Sequence, residues 1–247
     1  KLRMGADDDD VKVIILRGIG PSFSTGDDLN RAPYEAVGGK PGVKLPQSKR
    51  LWGFHRLYEA LKEDLLFNPK TIVAQVQGWV LGYGNGIVEM CDLAIAAESA
   101  KFAHREMRIG FAGLPVVAPI ITLLTIGPKR TRELFLSGRI LTAQEAKEWG
   151  MINKVVPDDK LEEETMKWAK MVALHSADGL MNGKLLTNLC YDLFGASAGN
   201  TASEIAHTLF TNLVWREDEF NFLKVRTLKG AREAFAEREK MWGDLGF

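Results

Sequence analysis

Short apolar runs alternate with helical stretches through the first 157 residues, and the runs stop there. Each run is apolar or rich in β-branched residues and is bounded by Gly, Pro, Asp or Asn, which is typical of buried strands. The predicted strands are residues 11–17, 71–76, 93–97 and 152–156. Because helical stretches separate them, the pattern favours crossover connections around parallel strands. The sequence therefore predicts an α/β fold.

The chain divides near residue 158, where long amphipathic helical patterns replace the strand signals. We expect an α/β core over residues 1–157 and a helical region over residues 158–247. Residues 30–49 hold three prolines and three glycines, which predicts a long loop of the kind that often forms a lid. Residues 1–5 have the pattern of a helix end that runs straight into a strand, so we expect that N-terminal residues precede this segment.

Composition excludes several classes of protein. The 32 basic residues balance 32 acidic ones, whereas a nucleic-acid-binding protein usually carries a basic excess. Hydrophobic residues make up 46% of the chain, enough to bury a core. The apolar runs are all shorter than the roughly 20 residues that a membrane span needs. Two cysteines, Cys91 and Cys190, provide no disulfide framework or zinc site, which favours a reducing compartment such as the cytoplasm.

Two glycine-rich loops follow predicted strands and precede helical runs, at residues 20–29 and 78–86. Backbone N–H groups at such junctions are free to point at an anion. A simpler explanation is that each loop is a tight turn that needs glycine. Neither loop has the lysine of a phosphate-binding P-loop. The second loop has the spacing Gly-x-Gly-x-Gly, so a dinucleotide-binding dehydrogenase is weakly supported.

Five segments, in order along the chain, together resemble the crotonase (enoyl-CoA hydratase/isomerase) superfamily. They are 11–29 ending in Phe-Ser-Thr-Gly-Asp-Asp-Leu, 70–92 ending in Cys-Asp, 100–113 with Phe-Ala-His-Arg-Glu, 136–156, and 229–238. The resemblance implies a crotonase-like spiral of ββα repeats with a helical C-terminal trimerisation region. It also implies a coenzyme A thioester as substrate and a homotrimer or a dimer of trimers.

The resemblance assigns roles within the two glycine loops. The backbone N–H groups of Thr25 and Tyr83 match the oxyanion hole, which holds the thioester oxygen as an enolate. Two fixed N–H groups aimed at a developing oxyanion can contribute several kcal/mol in a dry site. Ser24, Asp28 and Leu29 match the stretch that holds the adenine part of coenzyme A.

The catalytic carboxylates depart from the pattern of a typical hydratase of the family, which uses two glutamates. The second glutamate matches Glu106, our candidate acid/base, but the first falls on Gly86. Glycine can neither donate nor accept a side-chain proton, and it leaves room for a branched or cyclic acyl group. Relatives that keep only the second carboxylate include enoyl-CoA isomerases and hydratase-lyases of aromatic substrates. Ring-opening hydrolases use different acid/base residues.

Two other side chains are candidates for the missing group. Glu89 lies about one helical turn after Gly86, although a carboxylate in so apolar a run can instead pair with a buried partner. His104 would share a face with Glu106 if the chain is extended there, and an imidazole suits proton transfer near neutral pH. A structural, hydrogen-bonded histidine is the alternative.

An aromatic stretch follows the predicted loop and matches the region that lines the acyl pocket in the family. Trp52 and Tyr58 are the candidate lining residues, and Tyr58 or His55 can supply a polar contact. Their helical spacing favours core packing over a place in the pocket. His175 and His207 fall in helical patterns and are interpreted as structural.

These features predict an enzyme of enoyl-CoA hydratase/isomerase type that has no metal and no prosthetic group, coenzyme A being part of its substrate. The first alternative is a hydrolase or hydratase-lyase that cleaves a carbon–carbon bond of an aromatic or cyclic acyl-CoA. The second is a non-catalytic acyl-CoA-binding homologue, against which the retention of Thr25 and Glu106 counts. We expect no nucleic-acid partner and no membrane span.

Overall fold

A computed structural model of the protein describes residues 1–28, 46–110, 119–209 and 214–244. The strands found in these ranges are β1 Val13–Arg17, β2 Thr71–Val76, β3 Trp79–Leu81, β4 Leu93–Ala97, β5 Lys101–Ala103, β6 Leu141–Thr142 and β7 Lys154–Val156. The α-helices are α1 Leu2–Ala6, α2 Gln47–Leu61, α3 Tyr83–Met90, α4 Pro119–Ser137, α5 Ala143–Trp149, α6 Leu161–Ala173, α7 Ala177–Leu193, α8 Ala196–Leu209, α9 Phe222–Lys229 and α10 Ala231–Gly243. No helix in the described part of the chain is long and apolar enough to cross a bilayer.

The four strands predicted from the sequence form one parallel sheet in the order β1-β2-β4-β7. Every residue of β2 is buried, as expected for a central strand covered on both faces. A second, smaller sheet has the order β3-β5-β6, with β3 and β5 parallel and β5 and β6 antiparallel. Since β3 follows β2 and β5 follows β4, the chain alternates between the two sheets. The α/β prediction is confirmed.

The boundaries differ from the sequence predictions in three ways. The first and last predicted strands begin two residues later than expected, at Val13 and Lys154. The strands β3, β5 and β6 were missed because two or three residues are too few to show an alternating pattern. The predicted loop over residues 30–49 is wrong at its end, since Gln47–Lys49 lie in the first turn of α2 and Pro46 immediately precedes it. The rest of that loop, residues 30–45, lies outside the described residues.

Helices after residue 158 pack directly on the parallel sheet. Leu161 of α6 is buried in a cluster with Val73, Ile95 and Val156. Lys184 of α7 is buried too, and its Nζ donates hydrogen bonds of 2.7 Å to Asp92 and to the carbonyl of Lys70. Both contacts fix the C-terminal helices to the ends of β2 and β4.

Candidate active site

The site forms where the loop after β1 runs beside β3. The Ser24 N–H donates to the Trp79 carbonyl at 3.1 Å, and the Leu81 N–H donates back to the Ser24 carbonyl at 2.9 Å. This pairing makes a one-residue parallel bridge between Ser24 and Val80. Thr25 therefore comes next to the start of α3, which begins two residues after β3.

Glycines allow the loop and α3 to approach each other closely. Gly82 precedes the helix with a φ of +52°, a conformation that favours glycine. A Cβ on Gly84 would lie only 2.8 Å from the Ser24 Cβ. Thr25 and Tyr83 donate no backbone hydrogen bond to another described residue, and Tyr83 is the first residue of α3, whose N–H has no partner within the helix. Two N–H groups that have no partner among the described residues thus lie on adjacent segments.

Glu106 lies against the same helix start. A Cβ on Gly82 would be 2.8 Å from the Glu106 Oε1 atom, so the carboxylate lies beside the backbone that precedes α3. The partial positive charge of a helix N-terminus favours an anion there. The second oxygen, Oε2, is buried and has no hydrogen-bond partner among the described residues. It is the atom of Glu106 left available to a ligand.

His104 touches Glu106, with 3.3 Å between His104 Nδ1 and Glu106 Oε1. Burial acts to raise the pKa of Glu106, but the charge and hydrogen bond of His104, the Glu106 backbone N–H and His207 together lower it below its ordinary value. The His104 ring is 4% exposed and packs 4.2 Å from the Phe135 ring, centroid to centroid. Its Nε2 atom has no hydrogen-bond partner in the described part of the chain. Packing thus fixes the ring while one nitrogen stays open.

The position of the missing glutamate is buried inside α3. Gly86 lies on this helix, and Glu89 follows it with a carboxyl group that accepts a hydrogen bond from the Thr122 hydroxyl. Burial raises the pKa of Glu89, and the His104 charge and the Thr122 hydrogen bond only partly oppose this. The Glu89 Oε1 atom has no partner within the described ranges. Glu89 is therefore a buried group with a structural partner and one open oxygen.

The structure separates the two predicted pocket aromatics. Tyr58 is fully buried, and its ring centroid lies 6.0 Å from that of Tyr83. Trp52 is 62% exposed and stacks on His55 at 5.3 Å. The structure thus brings Tyr58 to the site and leaves Trp52 at the surface of α2.

Of the three predicted adenine-binding residues, the structure describes two. Ser24 is held in the bridge to β3, and its hydroxyl accepts a hydrogen bond from the Gly26 N–H at 3.3 Å. Asp28 is exposed, at the end of the described part of the loop, whereas Leu29 lies outside the described residues.

Sequence reasoning missed three residues of the site. Asn85 is buried, and its Nδ2 donates to the carbonyls of Val80 and Ala103, at 3.0 and 2.9 Å, tying α3 to β3 and β5. Its place inside the Gly-x-Gly-x-Gly pattern was the only available signal. Asp27 is exposed on one side, and partial desolvation together with the charge of Glu106 raises its pKa.

His207 is the third missed residue, and nothing in its local sequence distinguishes it. It reaches the site from α8, with its ring 4.3 Å from Phe54 and 6.3 Å from Tyr58, centroid to centroid. Burial and the Arg50 charge, opposed by the Glu106 charge, together lower the pKa of His207 to about 4. An uncharged imidazole therefore faces the site at neutral pH.

One group of side chains has the composition of a metal site. Ligand atoms of His55, Glu59 and Glu204 lie within 4.8 Å of one another between α2 and α8. Protein partners already satisfy them, because His55 Nδ1 lies 3.0 Å from Glu204 Oε2 and Lys62 pairs with Glu59 at 2.7 Å. The group is explained as a polar contact between two helices.

Comparisons with known proteins identify the class to which this fold and site belong. A profile of the enoyl-CoA hydratase/isomerase family matches residues 2–244. A Thermus thermophilus protein with the provisional name enoyl-CoA hydratase is 33% identical over 177 residues, covering 70% of this chain and 64% of its own length. The zebrafish (Danio rerio) protein named enoyl-CoA hydratase domain-containing protein 3, mitochondrial, is 28% identical over 242 residues, covering 97% of this chain and 74% of its own length.

A solved structure supports the same assignment at the level of the fold. The crystal structure of an enoyl-CoA hydratase/isomerase from Xanthobacter autotrophicus Py2 matches with a TM-score of 0.81 and 24% identity, covering 97% of this chain and 85% of that one. The chain therefore belongs to the enoyl-CoA hydratase/isomerase family and has the crotonase fold. The resemblance found in the sequence is confirmed, and the chain spans 64% of the length of the Thermus relative.

Proposed function

We propose that the protein binds an acyl-CoA thioester and stabilises its enolate, with Glu106 moving a proton at the carbon beside the thioester. The observation that carries the proposal is the buried, open Oε2 atom of Glu106, whose other carboxylate oxygen lies beside the start of α3. The N–H groups of Thr25 and Tyr83, which have no partner in the described part of the chain, lie on the two segments that meet there. N–H groups fixed in this way need no reorganisation as charge develops on the thioester oxygen.

The lowered pKa of Glu106 keeps it ionised at neutral pH, as a base requires. The carboxylate removes a proton from the α carbon, and the electron pair passes to the thioester oxygen, which the two N–H groups hold. Isomerisation of an enoyl-CoA follows when Glu106 returns the same proton to the γ carbon. These two proton transfers use the same carboxylate, which suits a chain that has glycine at position 86.

Hydration needs a second group to activate water, and the two candidates differ. Glu89 accepts a hydrogen bond from the Thr122 hydroxyl, so one of its oxygens is already engaged. His104 has an open Nε2 atom and is the better candidate. The same atom supports the second function, carbon–carbon bond cleavage in an aromatic or cyclic acyl-CoA, for which the absent side chain at Gly86 leaves room.

Coenzyme A is the expected carrier of the substrate, and no prosthetic group is part of the proposal. Ser24, Asp28 and Leu29 are proposed to hold its adenine part. Both cysteines are free thiols, in keeping with a cytoplasmic location. A homotrimer or dimer of trimers is supported by α7, which exposes an apolar stripe at helical spacing. The stripe consists of Met181, Leu185, Leu189 and Leu193.

Solvent deuterium exchange tests the proposal directly. Mass spectrometry would follow deuterium uptake into a panel of straight, aromatic and cyclic acyl-CoA thioesters. The Glu106→Gln variant is expected to lower the exchange rate by roughly 10²- to 10⁴-fold, since it removes the proton acceptor. Glu98→Gln, at an exposed glutamate after β4, is the matched control and is expected to exchange normally. Unchanged exchange in Glu106→Gln would contradict the assigned role, and shortened or ring-opened products would favour bond cleavage.

A further inference from the structure

The helix α2 buries an arginine at a core position. Its three buried residues are Arg50, Phe54 and Tyr58, four residues apart on one helical face. Arg50 is 5% exposed, and its guanidinium lies 5.3 Å from the centre of the Phe54 ring. An apolar residue is the usual occupant of such a position.

The Arg50 guanidinium lacks an anionic partner within the described ranges of the chain. No carboxylate of the described residues pairs with it, and its Nε atom is buried without a hydrogen bond. Burial lowers the pKa of Arg50, opposed only by the nearby Tyr58. A buried charge is costly unless it is paired. Such a residue is explained most simply by an anion that arrives with a ligand.

Two tyrosine hydroxyls on the chain of rings that leads from Arg50 can act as donors, and the charges of Asp27 and Glu204 also act on Tyr58. The hydroxyls of Tyr58 and Tyr83 influence each other, and neither makes a hydrogen bond of good geometry within the described ranges. Even a mutual bond would leave one phenol proton without an acceptor. A guanidinium has five N–H donors and no acceptor. A ligand group that satisfies this set must offer acceptor oxygens, and the unpaired cation requires that they carry negative charge.

The rings connect Arg50 to the proposed reaction site. Phe54 lies 5.8 Å from Tyr58, and Tyr58 lies 6.0 Å from Tyr83, whose N–H is a proposed enolate donor. His207 feels the charges of both Arg50 and Glu106, so the cation and the acid/base both lie near its ring. The ring contacts thus lead from the proposed enolate donor to Arg50.

We propose that Arg50 binds a carboxylate at the distal end of the acyl group, so that the substrate is the mono-thioester of a dicarboxylic acid. The inference rests on the proposed function, because it assumes that the thioester lies at Glu106. Guanidinium and carboxylate form paired, charge-assisted hydrogen bonds, and the phenol hydroxyls supply further donors. The cation that costs stability in the free protein thus becomes the group that selects the substrate.

Titration calorimetry with matched thioesters tests the inference. The probes are succinyl-, adipoyl- and suberoyl-CoA, each against its methyl-ended counterpart, butyryl-, hexanoyl- and octanoyl-CoA. The wild-type protein is expected to bind one dicarboxylic member about ten to a hundred times more tightly than its counterpart, the range for hydrogen bonds to charged groups. Arg50→Gln is expected to abolish this preference and Arg50→Lys to keep part of it. Arg56→Gln, at an exposed arginine of the same helix, is expected to keep all of it.

Thermal unfolding supplies a second measurement that is independent of ligand affinity. If the Arg50 charge is unpaired in the free protein, Arg50→Gln is expected to have a higher Tm than the wild-type protein in the absence of ligand. Adding the dicarboxylic thioester is expected to narrow this difference in Tm, because only the wild-type protein gains an ion pair. A lower Tm with an unchanged preference would overturn the inference and indicate a structural pair. Arg50→Gln could instead weaken the binding of every thioester and of free coenzyme A equally, without weakening the binding of 3′-dephospho-coenzyme A. That result would overturn the inference and indicate that Arg50 binds the 3′-phosphate.

The proposed function is tested separately by the deuterium exchange of the methyl-ended thioesters. Exchange that depends on Glu106, without any preference for a distal carboxylate, would leave the proposed function standing and refute only the Arg50 inference. Failure of every coenzyme A thioester to bind would remove both.

Discussion

Removing the imidazole of His207 is expected to change how the stability of the protein depends on pH. In the folded state burial and the Arg50 charge, opposed by Glu106, lower the pKa of His207 from 6.5 to about 4. The unfolded chain therefore binds a proton at His207 between these values, whereas the folded chain does not. Stability from this group is complete above about pH 6.5 and is lost as pH falls toward 4.

The magnitude follows from the size of the shift. A shift of one pKa unit corresponds to 1.36 kcal/mol, so the pKa change of His207 implies a loss of about 3 kcal/mol across this window. His207→Gln carries no titrating ring. Between pH 7 and pH 4 its free energy of unfolding is therefore expected to fall by about 3 kcal/mol less than that of the wild-type protein. The variant need not be as stable as the wild type at pH 7, because the prediction concerns only how steeply the free energy of unfolding changes with pH.

Urea unfolding followed by tryptophan fluorescence at several pH values between 4 and 7 measures both slopes. The exposed His175 supplies the matched control His175→Gln, which removes a histidine from a solvated position and is expected to keep the wild-type slope. If His207→Gln also keeps the wild-type slope, His207 is not held uncharged in the folded state. The interpretation of His207 as a neutral ring facing the site would then be refuted.

Two further predictions concern the helix start and the assembly. Gly84→Ala brings a Cβ to 2.8 Å from the Ser24 Cβ and is expected to destabilise by about 1–3 kcal/mol and to slow thioester exchange. Gly183→Ala, where a Cβ meets nothing within 4 Å, is the control and is expected to stabilise the protein by roughly 0.5–1 kcal/mol. Urea unfolding measures the stability of both variants. Equal effects would contradict the conclusion that Gly84 and Ser24 are in close approach. Sedimentation velocity is expected to show a trimer or hexamer that Leu189→Glu dissociates and Thr187→Glu leaves intact, whereas a wild-type monomer would contradict the assembly.

The parallel sheet was predictable because it follows from local patterns. Each of its four strands carries its own apolar run and its own flanking turn residues. The short strands β3, β5 and β6 lack enough residues for such a pattern and form only where the long strands and α5 offer a surface. Strands were predictable from the sequence when they were long enough to show an apolar pattern, whether or not they contribute to the site.

The main polar groups of the candidate site were predictable for a different reason. Thr25, Tyr83 and Glu106 lie in motifs whose order along the chain is specific to the family. The same motifs placed His104 two residues before Glu106, and the structure brings the two side chains into contact. Their roles in catalysis stay predictions.

The tertiary structure alone decided how α2 and α8 contribute. By spacing, Trp52 and Tyr58 were equal candidates for the pocket, yet one is exposed and the other fully buried. His207 has no local signal and reaches the site only because α8 packs on α2. Burial and charge neighbours depend on contacts between residues far apart in the chain, which helical periodicity does not specify. The sequence by itself determined the family and the acid/base candidate, whereas packing decided which charges of the described residues, Arg50 above all, are left without an ionic partner.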